Sequence, residues 1–183
     1  VKLAARDFDS PSQQWVLEPV EPRSYMWSYV FSDIYTYRKI YSGYRLPGRF
    51  DHYAIDIVSN DASKPIQGKP ILAPWNGEVF YRSDDETTAG NYVVLEFDCF
   101  WPGTGKKLRM GFMHMRSPTI YPVGYKVKTG DILGFVGNTG NADGYHLDLS
   151  VFTDGIWPSE KYAINPQRFF PYVDFTGDLS TVP

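Results

Sequence analysis

From Pro47 onward the chain is cut into short apolar runs, and this segmentation limits the fold more than any other feature. The runs are Ala54 to Val58, Pro70 to Ala73, Gly77 to Tyr81, Tyr92 to Phe97, Leu108 to His114, Ile132 to Val136 and His146 to Phe152. Each has the length of a strand, and none offers a long amphipathic helical stripe. Between them stand Asn76-Gly77, Thr129-Gly130-Asp131, Asn138-Thr139-Gly140 and Asp143-Gly144. Such pairs make turns because glycine reaches positive φ and Asn or Asp side chains bond their own backbone. Many short strands with Gly-rich turns predict an all-β, mostly antiparallel architecture, either a β-sandwich or a barrel-like sheet.

The 183 residues suit one domain with appended segments. Residues 1–40 read as an N-terminal extension or linker, 41–171 as the main domain and 172–183 as a tail. Pro11, Pro19 and Pro22 mark the first part as an arm. From Ser24 to Tyr44 aromatics crowd at spacings that fit a helical stripe or an extended chain equally well. Hydrophobic residues at 43% and charged residues at 21% support a packed core. A net charge of −3 without a basic stripe argues against nucleic-acid binding. No apolar stretch approaches the roughly 18 residues of a helical membrane span. Cys99 is the single cysteine, so no disulfide forms within the chain. The chain starts at Val1 with neither an initiator Met nor a signal-peptide pattern, which reads as a processed or excised segment.

Three histidines carry what chemistry the sequence offers: His52, His114 and His146. His52 precedes Asp56 by four positions, and residues an even number apart share one face of a strand. The two converge on one ion if the strand bends, and imidazole plus carboxylate is an ordinary pair of zinc ligands. His146 and Asp148 also share a face. They are either the polar side of a half-buried strand or a metal ligand beside a proton-handling histidine. His114, among Met110, Met113 and Met115, reads as a histidine tolerated in a packed strand unless it joins the other two. Gly103-Thr104-Gly105-Lys106 lacks the spacing of a phosphate loop and reads as a hairpin turn. Asp84-Asp85-Glu86 reads as a solvated loop.

In order, these pieces resemble the LytM and lysostaphin-like zinc endopeptidases. Ser42-Gly43-Tyr44-Arg45 followed by His52-Tyr53-Ala54-Ile55-Asp56 is similar to the family's Ser-Gly-Phe-Gly-x-Arg entry and His-x-Gly-x-Asp. Ile71 to Val79 resembles its following hairpin, and Met113-His114-Met115 stands at its His-Leu pair. Val127 to Gly140 resembles the glycine-punctuated segment that leads into Gly-x-His-Leu-His, and Asn165-Pro166 its closing dipeptide. The similarity covers about residues 41 to 170. It implies a lysostaphin-like β fold, one Zn²⁺ per chain, and His52, Asp56 and Asp148 as metal ligands. It further implies His114 and His146 as catalytic groups, peptidoglycan peptides as substrate and an extracytoplasmic place of work.

The sequence departs from the family at Ala54, where the family has glycine, and, of more consequence, at Asp148, where the family has histidine. Oxygen is an acceptable zinc donor, but two carboxylates formally neutralise the dication and lower its Lewis acidity. Oxygen-rich sites also favour harder ions such as Mn²⁺. Two further readings follow: a catalytically impaired peptidase fold acting as a wall-binding, structural or regulatory module, and a carbohydrate-binding β-domain using the aromatic segment.

Overall fold

The computed structural model describes residues 27–46, 48–85 and 87–177. Its strands are β1 (Lys39–Ser42), β2 (Ile55–Val58), β3 (Pro70–Leu72), β4 (Gly77–Asp85), β5 (Gly90–Phe100), β6 (Lys107–Met115), β7 (Lys126–Val127), β8 (Ile132–Phe135), β9 (Leu147–Phe152), β10 (Ala163–Ile164) and β11 (Thr176–Gly177). The only helical element among the described residues is a 3₁₀ turn, Pro166–Phe169, capped by the Asn165 side chain on Gln167 N–H. No helix there is long and apolar enough to cross a membrane. All seven expected runs are strands, and the structure is nearly all-β, as the turn spacing predicts.

The main sheet runs β11-β1-β2-β9-β6-β5-β4-β7, with β10 added to β9, while β3 and β8 pair separately. Every pairing is antiparallel except β1 with β11. Alternation along β9 sends Leu147, Leu149 and Val151 into the large core, while Asp148, Ser150 and Phe152 point to the opposite face. Ile55 and Ile57 of β2 enter the same core and leave Asp56 beside Asp148. One face of the central strands therefore packs into the large core, and the other carries Asp56 and Asp148 beside a smaller apolar cluster of Tyr92, Val94, Met113 and Phe152.

From Trp27 on, the aromatic segment is irregular chain that runs into β1, not helix. Trp27, Tyr29, Val30 and Phe31 belong to the same core as β2, β5 and β9. Trp27, 1% exposed, packs on Phe97 and Phe169 with ring centroids 4.4 and 4.8 Å away. Removing a buried aromatic of that size costs about 3–5 kcal/mol. Residues 1–26 of the expected arm lie outside the described residues. Asp84 and Asp85, expected in a loop, instead continue β4 opposite Asn91 and Gly90. The Gly103-Thr104-Gly105-Lys106 turn closes β5 onto β6, with Trp101 N–H donating to Lys106 C=O at 2.8 Å.

Candidate metal centre

Asp56 and Asp148 face each other as direct cross-strand partners of β2 and β9. Like charges so placed repel, so sheet pairing holds together two carboxylates that would otherwise separate. His52 is not on the strand, as the sequence suggested, but in the segment before it. The chain turns at Ala54 and swings the ring back, placing Nε2 3.2 Å from Asp56 Oδ1 and 3.5 Å from Asp148 Oδ2. One donor atom from each of the three lies within 4.8 Å of the others. Asp56 and Asp148 are buried; Asp148 Oδ1 lacks a hydrogen-bond partner, and Asp56 Oδ1 has only the imidazole contacts of the cluster itself. Two buried carboxylates side by side are costly, and a cation drawn between them would offset both charges and satisfy Asp148 Oδ1. The donor set of one imidazole and two carboxylates thus fits a divalent metal ion.

Local contacts fix each ring. His52 Nδ1 lies 3.1 Å from the Gly43 carbonyl and 3.4 Å from Ser42 Oγ, which turns Nε2 toward the carboxylates. His114 Nδ1 donates to Thr139 C=O at 2.8 Å, and His146 Nδ1 to Gly144 C=O at 3.0 Å. A carbonyl only accepts, so Nδ1 carries the proton and Nε2 is left to face the site. The His114 and His146 ring centroids are 4.8 Å apart, and His146 Nε2 lies 3.8 Å from Asp56 Oδ1. Burial of the His52 ring opposes its charge, but the adjoining Asp148 and Asp56 outweigh this and push it up to about 10.

His114 reaches the site through a bulge. Phe112 faces the core opposite Val93, and strict alternation would send His114 there too. Between these pairs and Asn91–Met115 the register shifts, and His114 adopts φ 60°. A residue held in the left-handed region at a bulge re-aims its side chain, here onto the polar face. The partner carbonyl is held as carefully. Gly90 and Gly140, both at positive φ, approach so closely that a Cβ on Gly140 would meet Gly90 N at 2.3 Å. This contact seats Thr139, whose hydroxyl donates to Met115 C=O at 2.7 Å and accepts from Asn91 N–H at 3.0 Å. Asn91 and Thr139 escaped the sequence reading; the Asn138-Thr139-Gly140 turn was the only trace of them.

Two hollows of about 300 and 370 Å³ meet over the cluster and share Arg49, His52, His114, Asn141 and Asp148. Tyr41 and Tyr145 flank one, and Tyr53 and Trp157 the other. The result is an open cleft across a largely buried cluster able to hold a metal ion, a form that suits a metal-dependent peptidase. The chain belongs to peptidase family M23, whose model matches residues 51–166. It is 32% identical over 108 residues to an uncharacterized metalloprotease of Buchnera aphidicola, covering 59% of this chain and 24% of that one. The chain thus spans about a quarter of that relative's length. Its fold matches lysostaphin, the antimicrobial peptidase of Staphylococcus simulans, at TM-score 0.60 and 24% identity, over 87% of this chain and 59% of that one. A zinc containing peptidase from Vibrio cholerae matches at TM-score 0.55 and 22% identity, over 76% and 39%.

Proposed function

We propose that this chain is a zinc-dependent endopeptidase that hydrolyses peptide bonds of bacterial peptidoglycan outside the cytoplasm. The observation that carries the reading is the convergence of His52, Asp56 and Asp148 beneath a cleft onto which His114 and His146 turn their Nε2 atoms. In this reading His52 Nε2, an Asp56 oxygen and an Asp148 oxygen hold the ion. A divalent ion there supplies Lewis acidity toward a carbonyl oxygen and toward water. His114 and His146 handle the proton and the oxyanion. One ring takes a proton from the attacking water at Nε2 and returns it to the amine nitrogen as the peptide C–N bond breaks, while the other ring steadies the oxyanion of the tetrahedral intermediate. Each such group contributes about 10²–10⁴-fold. An extended peptide lies along the two hollows, and the family membership supports a peptide substrate.

Elemental analysis of the purified protein and of Asp148→Ala, followed by digestion of isolated cell walls, tests this. About one zinc per chain, lost in the variant, together with released peptide amines, is the expected result. Wild-type protein that takes up zinc but releases nothing from walls would overturn the hydrolase reading. That outcome would favour a second reading, a catalytically impaired wall-binding module, to which the second carboxylate at Asp148 already points. A site that zinc cannot fill would remove the ligand set as well.

A further inference from the structure

Arg49 has no part in the chemistry above, yet it stands where the two hollows meet. Its side chain is 55% exposed, and Nη1 donates to the oxygen of buried Ser42 at 2.9 Å. Nη1 lies 4.0 Å from Asp56 Oδ2, outside hydrogen-bond reach. A guanidinium presents five N–H donors in a rigid fork, and Ser42 occupies one. Among the described residues lining both hollows, Arg49 is the one Lys or Arg. The nearest carboxylate, Asp56, pairs with Arg49 only at this longer range of 4.0 Å and is shared with the His52–Asp148 cluster, which leaves the other donors of the fork to a ligand in the cleft. Asp51 and Asp143 on the rims repel anions elsewhere along the cleft.

We propose that Arg49 is a carboxylate-binding subsite that selects peptides bearing a free carboxylate on a residue next to the scissile bond. This rests on the peptidase reading for the direction of the peptide and deepens it by naming the substrate's charge. The tether to Ser42 puts the fork within about one residue of the ligand cluster, so the group it captures belongs to a residue flanking the cleaved bond. A charge-assisted, two-point contact in a partly enclosed cleft favours the acid over its amide by about tenfold. Lysine keeps the charge but loses the fork.

Binding, not turnover, gives the decisive test. Zinc-loaded full chain, Arg49→Gln and Arg49→Lys are titrated with two peptide hydroxamates that differ only in Glu or Gln beside the hydroxamate. Wild type should bind the Glu compound about tenfold more tightly, Arg49→Gln should bind both equally, and Arg49→Lys should fall between. Both variants should retain wild-type zinc by elemental analysis. Equal affinities in wild type, or a preference that survives in Arg49→Gln, would overturn the proposal. So would zinc loss in Arg49→Gln, which would mean that Arg49 acts through Asp56, and so would failure of wild type to bind either hydroxamate. A binding preference without any peptide hydrolysis would sustain the subsite and remove the peptidase reading alone.

Discussion

Acidification should unload the metal centre with a slope the structure sets. In the metal-free protein, burial of His52 opposes its charge, but Asp148 and Asp56 raise its pKa from 6.5 to about 10. Between pH 6 and 8 the ring is therefore protonated until an ion displaces the proton from Nε2. One proton released per ion means apparent affinity rises about tenfold per pH unit, or about a hundredfold from pH 6 to 8. Competition against a chromophoric chelator at pH 6, 7 and 8 reads the slope. Calorimetry in two buffers of different ionisation enthalpy counts the proton. A flat affinity with no proton released would refute the placement of His52 in the ligand set. The same shift governs stability with the opposite sense. A folded pKa above the ordinary value stabilises the metal-free protein fully below about 6.5, and that stabilisation disappears as pH rises through about 10. Chelated protein should thus unfold more easily at pH 9.5 than at pH 7, by up to about 1.4 kcal/mol per pH unit. Zinc-loaded protein should not follow that slope.

Three substitutions probe other parts. Asp148→His should keep the fold and tighten zinc in a chelator competition; looser binding would place position 148 outside the ligand set. His114→Ala should retain zinc while any peptide hydrolysis falls by about 10² or more in kcat; unchanged turnover would exclude that ring from proton transfer. Gly140→Ala puts a Cβ 2.3 Å from Gly90 N and 2.5 Å from Thr88 C=O at a positive φ of 72°. It should cost about 2 kcal/mol and lower Tm by about 5 °C, and hydrolysis should weaken through the displaced Thr139 carbonyl. An unshifted Tm would show that the two turns are not pressed together.

The strands were legible because apolar runs and Asn-Gly, Asp-Gly or Thr-Gly punctuation are local signals, and β2, β5, β6 and β9 follow them closely. The two-residue strands β7, β10 and β11 were not, since so few residues carry too little pattern to separate from loop, and β1 lies inside the aromatic segment whose period was ambiguous. The period of the aromatic segment stayed ambiguous because Trp27 is placed by distant partners, Phe97 and Phe169, and Tyr29 by Phe170 and Phe175. All five candidate site residues gather at one cleft, but His52 arrives by a turn before β2 and His114 by a bulge. Neither device has a one-residue signature. Arg49 and Asn91 depend on contacts with chain far away in sequence or on the shape of the cleft, which no local motif reports.

The facing positions of Asp56 and Asp148 make the spacing of these two donors a property of the backbone ladder and not of a loop. A side chain exchanged at position 148 inherits a fixed socket, with Leu147 and Leu149 anchoring the strand from behind. Under the proposed metal site, ion preference would change with one codon while the cleft, the His114 and His146 rings and the opposing aspartate stay in place. On such a frame, histidine and aspartate at one rung become two settings of the same instrument.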